Sequence, residues 1–162
     1  MGRKTWDSLP NKFKPLPNRL NVVLTRSLST VIGNDENGMI EVYNDLEQAL
    51  VTLSANPKVN EIFVIGGATV YEQALKNHSD HCKLIILTRI GKNFEADTFM
   101  PKITCDDELA GAFFTKLHIS KTYQHKDITY DYCFIGNKKL MSQKPELIPT
   151  RLMEKYPKHP EM

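Results

Sequence analysis

A chain of 162 residues is long enough for one domain with a buried core and a tail, and too short for two full domains. Its 21 basic and 19 acidic residues are interleaved along most of the length and leave a net charge of +2, which argues against a dedicated nucleic-acid binder and confines any anion site to a local cluster. Three widely spaced cysteines and the lack of a signal peptide or transmembrane run set the expectation of a soluble, cytoplasmic protein with reduced thiols, no disulfide framework and no membrane partner.

A short helical segment around Thr5 to Leu9 is followed by a loop stiffened by Pro10, Pro15 and Pro17, and Leu20 to Leu24 then reads as a strand. A second short strand is expected at Met39 to Tyr43. Asn44 with Glu47 makes a capping-box pattern, and Leu46, Ala49, Leu50 and Leu53 form one apolar helical face that Asn56 and Pro57 end. Ile62 to Ile65 is an unbroken apolar run, the habit of a strand buried on both faces in a parallel sheet. Gly66 and Gly67 then remove two side chains at its carboxyl end, and Val70, Tyr71, Ala74 and Leu75 recur at helical spacing. The glycines therefore precede a helix N-terminus, whose free N–H groups and dipole favour phosphate. A tight turn with no ligand is the other reading of that pair. Beyond it, His78 and His81 stand close together without a second ligand pair, so no metal site is expected. Lys83 to Leu87 reads as another buried strand, completing a strand–helix alternation that signifies a parallel sheet with right-handed crossovers. Phe113 to Ser120 and Ile128 to Lys138 read as two further strands forming an antiparallel ending to the sheet. From residue 139 to 162, prolines punctuate a lysine- and glutamate-rich segment with no sustained apolar period, which reads as a linker or extension.

Two other places suit an anion. Gly2, Arg3, Lys4 and Thr5 put a glycine, two cations and a hydroxyl at the opening of a short helix, although a frayed basic terminus is equally an N-terminal habit. Thr25 and Arg26 follow the Leu20 to Leu24 strand at a carboxyl edge of the sheet, where a guanidinium grips phosphate bidentately or is simply solvated. Arg19, after Pro15-Leu16-Pro17-Asn18, is a cation on a stiffened loop suited to a carboxylate.

Read in order, these segments resemble the dihydrofolate reductase family over about residues 1 to 138. The resemblance is carried by Met-Gly-Arg-Lys-Thr-Trp at 1–6, Leu9-Pro10, Phe13-Lys-Pro-Leu16, Asn18-Arg19 through Arg26-Ser27, Val64-Ile-Gly-Gly67 with Val70-Tyr71, and Leu87-Thr-Arg89 leading to Phe94-Glu-Ala-Asp-Thr-Phe99 and Pro101. It implies an α/β fold with a mostly parallel sheet flanked by helices and an antiparallel C-terminal strand, binding NADPH and dihydrofolate. Gly2, Arg3, Lys4 and Thr5 would line the cofactor phosphates, with Thr25 and Arg26 at the 2′-phosphate. Gly66 and Gly67 look like the family's glycine pair, joined by a cis peptide, and Ala68, Thr69 and Val70 open the helix facing the pyrophosphate. Leu9, Pro10 and Leu16 would wall the aminobenzoyl ring, Arg19 would pair with the glutamate α-carboxylate, Ile65 and Tyr71 would border the nicotinamide and pteridine, and Thr88 resembles the threonine near the pterin amino group. Trp6 is expected to pack in the core.

The family's first strand, mobile loop and acid-bearing helix have no counterpart here, so no catalytic acid is expected within residues 1–162, and Asp7, Asp45 and Asp97 do not occupy its position. The expectation is that Met1 is an internal methionine and the acid lies upstream of it. The tail, Leu152 to Met162 with Tyr156, His159, Pro160 and Glu161, resembles the junction of bifunctional dihydrofolate reductase–thymidylate synthase chains. That would make 1–138 a partial reductase domain, 139–162 a linker, and the assembly a homodimer through the synthase part.

Overall fold

The computed structural model describes residues 1–27, 38–105, 112–147 and 150–156, as two compact units, Met1–Lys76 and Asn77–Met162. Pro157, His159, Pro160 and Glu161 of the tail motif lie outside the described residues.

In the first unit, α1 (Arg3–Ser8) leads through a 3-10 turn at Asn11–Phe13 to β1 (Asn21–Leu24), which pairs in parallel with β2 (Ile40–Tyr43). Trp6 and Val23 are buried together, with Met1, Leu9, Ile40 and Val42 packed around them, so Trp6 is the core residue expected of it. α2 (Leu46–Ser54) buries Leu46, Ala49 and Leu53, the face its periodicity predicts. Its cap lies one residue later than the Asn44–Glu47 pattern suggests: Asp45 is extended and accepts from Gln48 N at 2.8 Å. A carboxylate beside the positive end of the helix satisfies an orphan donor and complements the dipole at once. Asp45→Ala is therefore expected to cost about 1 kcal/mol in urea unfolding, and Asn44→Ala close to nothing; equal costs would contradict this cap.

α3 (Ala68–Asn77) follows the glycine pair as expected, and buries Val70. The run before it differs from its expectation. Ile62 to Ile65 joins no ladder among the described residues, and Ile62, Phe63 and Ile65 are exposed, Phe63 by 71%. An apolar run specifies that a strand is wanted; only hydrogen-bonding neighbours on both edges make it one.

The second unit is antiparallel. β3 (Leu84–Ile90), β4 (Phe114–Ile119) and β5 (Tyr123–His125) all pair with the long β6 (Ile128–Asn137). A mostly parallel sheet is thus the habit of the first unit and not of the second, where β3 runs against β6 rather than continuing a parallel series. β3 is also longer than Lys83 to Leu87 and only partly buried. Its register with β6 is pinned by Arg89, whose Nε and Nη2 donate to Asp131 at 2.7 and 2.8 Å, and this bidentate contact raises the Arg89 pKa. β5 falls between the strands expected at Phe113 to Ser120 and Ile128 to Lys138; the turn behind it places Lys126 at φ 55°, letting a three-residue strand return onto β6. The core gathers Phe114, Cys133, Phe134, Ile135 and Met141 with the buried polar residues His118, Ser120 and Asn137. α4 (Lys138–Gln143) and α5 (Thr150–Glu154) follow. The segment that reads as an extension is partly built in: Met141 is buried, and the Tyr156 ring lies 4.5 Å from that of Tyr132.

Candidate functional site

The glycines are brought together by backbone. Leu24 N donates to Met1 O and Gly2 N donates to Gly66 O, each at 2.8 Å, so residues 1–2 lie between the end of β1 and the glycine pair. Gly2 also bridges Leu24 in parallel. The Gly66–Gly67 peptide is cis, as the resemblance implies, and Gly66 has φ +97°. A Cβ at Gly66 would meet the Tyr71 ring at 2.9 Å, one at Gly67 the Thr5 Oγ1 at 3.3 Å, and one at Gly2 the Val70 Cγ2 at 3.3 Å. Each glycine thus faces another residue of the same junction, and the absence of side chains is what lets three backbone segments converge.

α3 begins at this junction. Val70 N and Tyr71 N donate to Gly67 O at 2.9 and 3.0 Å, and the first turn of α3 contains no acidic residue. A first turn without acidic side chains leaves the helix dipole uncompensated from within α3, a setting that suits an anion. Gly2, Thr5, Gly66, Gly67, Ala68, Thr69, Val70 and Tyr71 therefore form one constellation. The side-chain-free backbone and an unopposed helix start fit a phosphate-bearing cofactor.

The cations stand further out. Arg3 and Lys4 are exposed on α1, with Arg3 3.8 Å from Asp7 one turn on. Thr25 donates its N–H to Tyr43 O at 2.9 Å, and its hydroxyl accepts from Ser27 N at 3.2 Å, so the hydroxyl shapes the turn after β1. Arg26 in that turn is exposed.

Of the residues expected to meet substrate, Leu9 is half-buried against the Trp6–Val23 core, Leu16 is half-buried and Pro10 exposed. Arg19 is exposed and its Nε donates to Pro17 O at 3.0 Å. Ile65 is exposed beside the glycines, whereas Tyr71 is half-buried and desolvation raises its phenol pKa. Thr88 belongs to the second unit, opposite Tyr132 on β6, where it borders an apolar hollow with Ile90, His125, Ile128 and Tyr130. Among the carboxylates, Asp7 faces Arg3, Asp45 caps α2, and Asp97 accepts from Thr98 Oγ1 at 3.1 Å. One residue escaped the sequence reading: Asn21, buried at the head of β1, bonds back to Leu16 and Arg19. The available signal was an amide at the first position of a strand that follows a proline-bearing loop. Among the described residues no group of three His, Cys, Asp or Glu stands close enough to hold a metal ion, and no helix is long and apolar enough to cross a membrane.

Comparison with known proteins identifies the family of the chain. The family model for dihydrofolate reductase matches residues 1–139. The chain is 42% identical over 112 residues to a dihydrofolate reductase of Aedes albopictus, covering 67% of this chain and 58% of that protein. It is 38% identical over 103 residues to a dihydrofolate reductase of Heliothis virescens, covering 64% of this chain and 54% of that protein. A bifunctional dihydrofolate reductase-thymidylate synthase of Glycine max is 43% identical over 106 residues, covering 64% of this chain and 19% of that protein. The chain thus spans little more than half the length of these reductases and about a fifth of the bifunctional protein. With 1–139 of its 162 residues matched, and motifs of several kinds in order along them, the chain belongs to the dihydrofolate reductase family.

Proposed function

We propose that the protein carrying this chain performs the NADPH-dependent reduction of 7,8-dihydrofolate to 5,6,7,8-tetrahydrofolate, in one-carbon metabolism of the cytoplasm. The observation that carries the reading is the Gly2–Gly66–Gly67 junction opening onto α3 within a chain of this family. The chemistry that bound NADPH would supply is a hydride for C6 of the pterin. Gly2, Gly66 and Gly67 admit the cofactor to the backbone, while Thr5, Ala68, Thr69 and Val70 meet its pyrophosphate. Arg3, Lys4, Thr25 and Arg26 supply the charge and hydrogen bonds for the remaining phosphate and select NADPH over NADH. Leu9, Pro10 and Leu16 exclude water around the aminobenzoyl ring, Arg19 holds the glutamate carboxylate, Ile65 and Tyr71 border the reacting rings, and Thr88 orients the pterin amino group. Delivery of the proton to N5 is assigned to no residue of 1–162.

The same reading makes 1–138 a partial reductase domain lacking its first strand and acid-bearing helix, and 139–162 an extension toward a synthase domain through which the protein dimerises. A nucleotide-binding module without turnover is the alternative. Following NADPH absorbance with dihydrofolate present separates the two: the protein expressed from its full reading frame turns over, and the 162-residue chain alone binds NADPH without oxidising it. Robust turnover by the chain alone would overturn the assignment of the proton donor. Arg26→Ala is expected to weaken NADPH binding about tenfold while leaving NADH binding within about twofold, as measured by calorimetric titration; equal losses for both nucleotides would remove Arg26 from the 2′-phosphate site.

A further inference from the structure

Asn21 is 1% exposed, yet it is a primary amide, and burying one without partners is costly. Its partners all lie in the loop that precedes it. Leu16 N donates to its Oδ1 at 3.0 Å, and its Nδ2 donates to Leu16 O and to Arg19 O, each at 3.0 Å. Its own backbone is committed elsewhere: Asn21 N donates to Met39 O at 2.7 Å, beside the β1–β2 ladder. The side chain thus ties both ends of the 16–19 loop to a strand that is itself fixed.

The loop needs such a tie. Pro15 and Pro17 have no N–H, and Asn18 sits at φ 59°, so few bonds within the loop are available to hold it. The Asn21 amide replaces them. Its consequence falls on Arg19, whose backbone carbonyl is held by Asn21 while its Nε donates to Pro17 O. Two anchors therefore set where the guanidinium leaves the chain and how it is turned. Among the described residues the Nε bond is the one it makes, leaving the terminal N–H groups for an end-on, bidentate partner.

We propose that Asn21 is a positioning residue for carboxylate recognition: it pre-organises the Leu16–Arg19 loop so that Arg19 meets the glutamate end of the substrate without first being ordered. The inference rests on the proposed role of Arg19. Pre-organisation strengthens binding by removing an ordering cost from it. The effect belongs to substrates that carry the glutamate.

Calorimetric titration of the protein expressed from its full reading frame, with dihydrofolate and with dihydropteroate, which lacks the glutamate, tests this. Asn21→Ala is expected to raise the Kd for dihydrofolate about tenfold and that for dihydropteroate by less than about twofold. Arg19→Ala is expected to change the ratio in the same direction, and the double variant to be no worse than Arg19→Ala alone, because both act through one contact. Equal weakening of both ligands by Asn21→Ala, or effects that multiply in the double variant, would overturn the positioning role. An unchanged ratio in Arg19→Ala would instead overturn the carboxylate reading beneath it. Asn21→Ser, which retains a hydroxyl partner for one loop group, serves where Ala unfolds the protein; a lowered Tm with an unaltered Kd ratio would reduce Asn21 to a structural residue.

Discussion

Gly66→Ala is expected to destabilise the protein by about 2–4 kcal/mol and to remove measurable NADPH binding. Two independent costs act at this position. The backbone stands at φ +97°, a region that glycine enters freely and an L side chain does not. The added Cβ would also lie 2.9 Å from Tyr71 Cε2 and 3.1 Å from Cζ, inside contact distance of a ring that is already half-buried. Moving either partner shifts Gly66 O, which accepts from Gly2 N at 2.8 Å, and so pulls the N-terminal segment from the start of α3. Gly67→Ala meets only Thr5 Oγ1, at 3.3 Å, with no positive φ, and is expected to cost about 1 kcal/mol or less. Combining Gly66→Ala with Tyr71→Ala separates the causes: removing the ring relieves the overlap but not the dihedral, so only part of the stability returns. Urea unfolding and NADPH calorimetry read both effects. A Gly66→Ala protein as stable as Gly67→Ala, or full recovery in the double variant, would show that the backbone conformation is not the governing cost.

What was legible in the sequence follows a physical pattern. β1, β2, α2 and α3 were readable because burial of one face leaves a period in the residues themselves. The glycine junction was readable for a different reason: a missing Cβ is required where Gly66 meets Tyr71 and eases the approach of Gly2 to Val70 and of Gly67 to Thr5, and glycine announces that directly. The α2 cap was displaced by one residue because Asn44 and Asp45 both have capping side chains, and local pattern does not say which of them is extended. Ile62 to Ile65 was misjudged because hydrophobicity records a need for burial and is silent on whether neighbours meet it. β5 was hidden because Tyr123–His125 owes its pairing to β6 and to the turn at Lys126, not to any alternation of its own. Asn21 was hidden too, since an amide's three bonds to Leu16 and Arg19 exist only after the loop has folded back over it. The chemistry of the site was thus clearest where it depends on backbone access and least clear where one polar side chain organises a loop.

Phe134→Ala is expected to have the largest effect on the second unit, about 3–5 kcal/mol in urea or thermal unfolding. Phe134 is 0% exposed on β6, opposite Ile86 of β3 and His118 of β4, so its ring lies in the middle strand of that sheet. The His118 ring meets it edge-on, with centroids 5.5 Å apart and planes at 76°, and the Tyr156 ring lies 5.8 Å away. His118 Nε2 also bonds the Tyr156 carbonyl, so one aromatic cluster seats both a buried histidine and the C-terminal segment. Deleting the ring leaves a cavity bordered by His118 and withdraws one of the two ring neighbours on which Tyr156 rests, the other being Tyr132. Loss of stability should therefore be accompanied by faster tryptic cleavage at Lys155 under native conditions, because cleavage there requires the segment to lift from the sheet. Tyr156→Ala separates the two consequences. It removes a half-buried ring from the segment after α5 and leaves Phe134 packed between β3 and β4, so cleavage should accelerate while global stability falls by about 1–2 kcal/mol. Should Phe134→Ala cost less than Tyr156→Ala, the cluster would be organised from the tail inward, with the sheet as a surface that the tail protects; the complete burial of Phe134 beneath two aromatic neighbours requires the opposite order.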